Sequence, residues 1–119
     1  MKTILIVEDI DLNIDLLTQI LEDDYNLLVA KDGVQGVALT IQCNPDLVLM
    51  DISLPVMDGY EATRIIRKTF NSLPIIGLSA NAMHGDDDKA KAAGCTDYLT
   101  KPVDEDLLLL KLRQYLPDP

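Results

Sequence analysis

Leu47-Val48-Leu49-Met50-Asp51 is a run of four apolar residues closed by a carboxylate. With no polar alternation, such a run reads as a β-strand covered on both faces, and it delivers an aspartate to the end of its sheet. Runs of the same character stand at Ile4-Leu5-Ile6-Val7, Leu27-Leu28-Val29-Ala30 and Ile75-Ile76-Gly77-Leu78, with a weaker one at Tyr98-Leu99. Between them apolar residues recur at helical spacing: Leu12, Leu16, Leu17, Ile20 and Leu21; then Val34, Val37, Ala38 and Ile41; then Ala62, Ile65 and Ile66. A polar, alanine-rich stretch from His84 to Ala93 ends at Gly94, and Asp104 is placed to cap a last helix from Leu107 to Leu116. Five strand-helix units in series predict a parallel sheet with right-handed crossovers and helices on both faces, a doubly wound α/β fold.

The composition fits that architecture. A chain of 119 residues with 48% hydrophobic residues fills one core, so a single domain over 1–119 is expected. Four Tyr, one Phe and no Trp leave the interior to Leu, Ile, Val and Ala, as helix-on-sheet packing requires. Twenty acidic against ten basic residues give a net charge of −10, which repels phosphate backbones and anionic lipid and argues against nucleic-acid or membrane binding. Cys43 and Cys95 lack metal-ligand spacing and read as reduced thiols. No apolar stretch of about 18 residues appears, so a cytoplasmic protein is expected.

In open parallel sheets, ligands bind beyond the carboxyl ends of the strands. The residues there are Glu8 and Asp9 after the first strand, Asp51 after the third, Ser79 after the fourth and Lys101 after the fifth. Three carboxylates drawn to one edge repel one another, and a hard divalent cation such as Mg²⁺ relieves that. A lysine and a hydroxyl opposite them suit an incoming phosphoryl group, whose transfer depends on positioning and charge neutralisation, with one carboxylate as nucleophile.

Taken in order, Glu8-Asp9, Leu49-Met50-Asp51, Leu54-Pro55, Met57-Asp58-Gly59, Ser79-Ala80 and Lys101-Pro102 resemble the receiver domains of two-component response regulators, over nearly the whole chain. The stretch from Ser79 to Asp86 is most similar to single-domain regulators and to receivers of hybrid sensor kinases. The resemblance implies a flavodoxin-like (βα)5 fold with strand order 2-1-3-4-5. It implies phosphorylation at Asp51 by a histidine kinase or histidine phosphotransfer protein, with Mg²⁺ on Asp9, Asp51 and the Ser53 backbone carbonyl, and Glu8 helping through water. It further implies that Lys101 pairs with the phosphoryl group, that Ser79 bonds to it, that Tyr98 is a switch aromatic, and that Pro102 follows a cis bond. Ser53 and Asn81 would tune phosphoryl lifetime. Ile10 departs from the family pattern, which often has Asn or Asp there.

Two other functions compete: an unphosphorylated docking module, and a magnesium phosphatase working through an aspartyl-phosphate. Loss of an acid or of the lysine would favour the first, and none is lost. The second resembles haloacid-dehalogenase-type enzymes, which carry a second Asp two residues past the nucleophile, where this chain has Ser53. His84 has no nucleophile to serve and reads as a surface residue, and Asp86-Asp87-Asp88 read as helix capping. The Leu107–Leu110 run exceeds one helical stripe, which leaves leucines for a protein effector or for a homodimer through the last helix.

Overall fold

The computed structural model describes residues 1–80 and 86–117, with only the backbone of Asp86 and Asp87. Five strands, β1 (Thr3–Val7), β2 (Asn26–Ala30), β3 (Leu47–Asp51), β4 (Ile75–Ser79) and β5 (Asp97–Thr100), alternate with α1 (Asp11–Leu21), α2 (Gly33–Cys43), α3 (Gly59–Arg67), α4 (Asp86–Ala93) and α5 (Glu105–Tyr115). All pairings are parallel and the order is β2-β1-β3-β4-β5, the flavodoxin-like arrangement. In register, Val7 lies opposite Met50, Met50 opposite Gly77, and Ser79 opposite Thr100. The reactive ends of β1, β3, β4 and β5 therefore open at the same edge.

Because side chains of a strand alternate between faces, each apolar run feeds two cores. Ile4, Ile6, Leu47, Leu49, Ile76 and Leu78 meet Leu17 and Leu21 of α1 and Leu108, Leu112 and Leu116 at α5. Leu5, Val7, Val48, Met50 and Ile75 meet Ala62 and Ile66 of α3 and Ala90 of α4. Asp32, Asp58 and Asp104 cap α2, α3 and α5 by accepting from the amides of Gln35, Glu61 and Leu107. Among the described residues, no helix is long and apolar enough to cross a membrane.

The helical spacing locates only part of the inner face of α2, since of its four positions Val37 alone packs against the core. Val34 and Ile41 are exposed, and Gly33, Gly36 and Thr40 turn inward. A Cβ on Gly36 would lie 3.0 Å from both Val7 methyl carbons, so it is the absence of a side chain that lets the helix seat on β1. On α1, Leu12 and Leu16 are 67% and 50% exposed, although their spacing reads as core.

The β3–α3 connection is packed as tightly. Gly59 donates its N–H to the Ile52 carbonyl at 3.0 Å, and a Cβ there would lie 2.2 Å from the Asp51 carbonyl oxygen and 2.8 Å from the Ile52 Cα. These backbone atoms cannot step aside, so Gly59→Ala is expected to lower stability by about 2 kcal/mol, read as a lower urea midpoint at unchanged slope.

Candidate functional site

The site begins where the sheet's ladder runs one residue past β1. Glu8 donates its N–H to the Ala30 carbonyl at 2.9 Å, which fixes its side chain beneath the edge, fully buried. A buried carboxylate needs partners for both oxygens. Oε1 accepts from Lys101 Nζ at 2.6 Å, and Oε2 accepts from the amides of Asp9 and Ile10 at 2.9 and 3.2 Å. Glu8 thereby serves the amides that lead into α1, where the N-cap residue, Ile10, has no capping side chain.

Asp51 is buried at the end of β3, which is held by the Ile52 amide on the Leu78 carbonyl at 2.9 Å. Its Oδ2 lies 3.1 Å from Lys101 Nζ and its Oδ1 accepts from the exposed Ser53 amide at 3.1 Å. Lys101 is anchored in turn, since its own amide donates to the carbonyl of buried Ser79 at 2.7 Å, and its bond to Pro102 is cis. One ammonium thus spans two buried carboxylates.

Carboxylate oxygens of Glu8, Asp9 and Asp51 lie within 4.8 Å of one another. Three carboxylates against one ammonium leave two negative charges uncompensated. Burial disfavours the charge on Lys101, but its hydrogen bonds and proximity to Glu8 and Asp51 outweigh that and hold its pKa above the usual lysine value. An all-oxygen donor set with excess negative charge fits a hard divalent cation. Both oxygens of Glu8 and both of Asp51 already have a protein partner within the cluster.

Tyr98 faces the other core, half-buried, opposite Gly77. Beside it lies a clasp the sequence did not reveal. Asp97 accepts from Lys111 Nζ at 2.9 Å, from the Tyr115 hydroxyl at 2.7 Å and from the Tyr98 amide at 2.8 Å. Burial raises the Asp97 pKa, but these donors overcome it and leave it below the ordinary value, while the same bond pushes the Tyr115 phenol up. A pocket of about 140 Å³, lined by Asn13, Leu16, Ile20, Pro102 and Val103, opens beside Glu8 and Lys101. A larger groove near Met1, Tyr25 and Arg113 includes none of the carboxylate cluster. Asn81, Met83 and His84 lie outside the described residues, as do the Asp86 and Asp87 side chains.

Residues 4–113 match the family described as the response regulator receiver domain. The chain belongs to that family. The receiver is 32% identical to the polar-differentiation response regulator DivK of Brucella ovis over 120 residues, 98% of each chain. It is 38% identical, with a TM-score of 0.91 over 98% of each chain, to the receiver domain of sensor histidine kinase PA1611 from Pseudomonas aeruginosa, whose structure has a magnesium ion in the active-site cleft. It also resembles a co-crystal structure of the Saccharomyces cerevisiae histidine phosphotransfer protein Ypd1 with the receiver domain of the response regulator Ssk1: 31% identity, TM-score 0.90, 96% of this chain and 88% of that one. Two-component signalling is therefore the setting of this receiver.

Replacing Lys101 strands two buried carboxylates, so Lys101→Met is expected to cost about 2–4 kcal/mol near neutral pH. Because the folded-state pKa of Lys101 is raised, its contribution is complete below the ordinary lysine value of 10.5 and is lost as pH climbs through the folded value. Urea midpoints of the wild type and the variant should therefore converge in the alkaline range above about pH 10.5.

Proposed function

We propose that this receiver is a phosphoacceptor switch: Asp51 takes a phosphoryl group from phosphohistidine on a histidine kinase or histidine phosphotransfer protein. The observation that carries the reading is the Lys101 ammonium set between buried Glu8 and Asp51, with the Asp9 carboxylate close by. In the transfer an Asp51 carboxylate oxygen forms the new bond to phosphorus as the bond from phosphorus to imidazole nitrogen breaks. Lys101 follows the charge, moving from the Asp51 carboxylate to the phosphoryl oxygens, and the Ser79 hydroxyl donates to one of them. Water attack at phosphorus later regenerates Asp51, so the receiver's own catalysis is confined to capture and slow autodephosphorylation.

The cation implied is Mg²⁺, held by Asp9, Asp51 and the Ser53 backbone carbonyl, with Glu8 acting through water. When bound, it neutralises negative charge on the transferring group. The magnesium in the PA1611 receiver and the phosphotransfer partner in the Ypd1–Ssk1 co-crystal support this reading by similarity.

Phosphorylation draws Ser79 towards the phosphoryl group and lets Tyr98 rotate, which shifts the surface of β4, β5 and α5 that a protein effector reads. Leu107 and Leu110 are exposed on α5 and offer that effector, or a second copy in a homodimer, an apolar contact. The setting is the cytoplasm, with neither nucleic acid nor membrane as a direct partner.

Incubation with acetyl phosphate and Mg²⁺ should add one phosphoryl group by intact mass, and chelation or Asp51→Asn should abolish it. Absence of the adduct in a protein that binds Mg²⁺ would point to a docking module or to a strictly kinase-dependent receiver, and absence of labelling by a phosphohistidine donor as well would sink the reading. Asp9→Asn should raise the melting temperature in metal-free buffer by relieving repulsion, an effect of about 1 kcal/mol, and should lose that advantage in millimolar Mg²⁺.

A further inference from the structure

α2 stands apart from the other helices in charge. Gly33–Cys43 contains no Asp, Glu, Lys, Arg or His, although the chain has twenty acidic and ten basic residues and every other helix carries charged side chains. Its outward surface is Val34, Gln35, Ala38, Ile41 and Gln42, all exposed, with Val34 at 49% and Ile41 at 59%. A helix on the surface of a lone globule ordinarily turns charged residues to water. Val34, Ala38 and Ile41 are spaced i, i+4, i+7 and so form one stripe. That stripe does not hold the helix down, since the fully buried residues are Gly33, Gly36 and Thr40. The isolated fold gains nothing from a valine and an isoleucine there.

The charge pattern selects what covers the stripe. Two copies of a chain with net charge −10 repel one another, so they associate best through a surface that brings no like charges together. Other exposed leucines fail that test: Leu12 and Leu16 of α1 stand beside Asp11 and Asp15, and Leu107 and Leu110 of α5 follow Glu105 and Asp106. α2 meets it. Antiparallel pairing about a twofold axis at Ala38 puts Val34 of each copy against Ile41 of the other, and the small side chain at the axis lets the helices approach closely. α3 lies beside α2 and, as another crossover between parallel strands, runs the same way. Acids stand at the leading ends of both helices, Asp32 on α2 and Asp58 with Glu61 on α3, while the exposed bases Arg64 and Lys68 close α3. Antiparallel pairing sets the acidic end of one copy against the basic end of the other.

We propose that α2 is a self-association surface, on which two copies of this receiver pair antiparallel, α2 against α2, through Val34, Ala38 and Ile41. The inference is independent of phosphorylation at Asp51. Crossover helices begin at the carboxyl edge of a parallel sheet, so an antiparallel pair points the two carboxylate clusters in opposite directions and leaves both open. α5 packs on the opposite face of the sheet from α2 and stays free in each copy. A single helix crossing covers less than the roughly 1,200 Å² of a stable complex, so the dimer is weak and depends on concentration.

Sedimentation equilibrium from about 10 µM to about 1 mM should show the average mass climbing from one chain towards two, with a dissociation constant of about 0.1–1 mM. Ala38→Glu places two carboxylates at the axis and should raise that constant at least about tenfold. Residue 38 is exposed and glutamate is a good helix former, so the melting temperature should hold. Ile41→Lys, at the other end of the stripe, should weaken the dimer in the same way. In a Cys43→Ser background, Ala38→Cys should cross-link two chains on mild oxidation, and Leu110→Cys on α5 should not. A chain that stays monomeric to about 1 mM, a dimer that survives both charge substitutions, or cross-linking by Leu110→Cys in place of Ala38→Cys would each overturn the proposal.

Discussion

Burying Glu8 and Asp51 at one end of an apolar sheet is tolerable only because a single ammonium stands between them. Lys101 arrives from β5, while the two carboxylates arrive from β1 and β3, and β4 lies in between. Neighbouring strands are about 4.8 Å apart, so the lysine must reach across the end of β4. The residue ending β4 is Ser79, small and buried, and its carbonyl holds the Lys101 amide. The topology, the short residue on the intervening strand and the long residue on the outer one therefore serve one electrostatic requirement.

Much of this was legible in the sequence, because the signals were of the two kinds that survive without coordinates. Continuous apolar runs such as Ile4–Val7 and Leu47–Met50 read as strands covered on both faces, and both are buried throughout, but the same reading fails for Leu27–Ala30, which forms the edge strand β2 with Val29 38% exposed and only Ala30 buried. Residues placed directly after such runs share the carboxyl edge by topology alone, which is why Glu8, Asp9, Asp51 and Lys101 were found together before any distance was known. The helix faces were less legible. Apolar spacing on α2 pointed to Val34 and Ile41, yet the fully buried positions are Gly33, Gly36 and Thr40, with Val37 and Leu39 partly buried beside them, since close approach to Val7 rewards the smallest residues. Hydropathy does not register a missing Cβ.

The sequence was silent where a contact depends on side-chain reach between distant positions. Asp97, Lys111 and Tyr115 lie 14 and 18 residues apart and form no local motif, but they join β5 to α5. Arg67 is similar: its guanidinium donates to the carbonyls of Gly94 and Phe70 and to the Thr96 hydroxyl, tying the end of α3 to the α4–β5 turn. Burial lowers the Arg67 pKa, a sign of how far the group has been drawn from water.

These attachments are uneven. α5 buries Leu108 and Leu112 against the sheet, Leu116 packs just beyond its end, and its polar side is clasped through Asp97. Among the described side chains of α4, only Ala90 and Ala93 are buried, and two alanine methyls cover little apolar surface. Ser79 ends β4 on the chain leading into α4, and Tyr98 packs in the same core as Ala90. Displacing an element costs in proportion to the apolar surface it uncovers, so a rearrangement at the end of β4 meets less resistance from α4 than from α5. The carboxylate edge is thus held by the fully buried ends of β1 and β3, and α4 is attached through less buried apolar surface than α5.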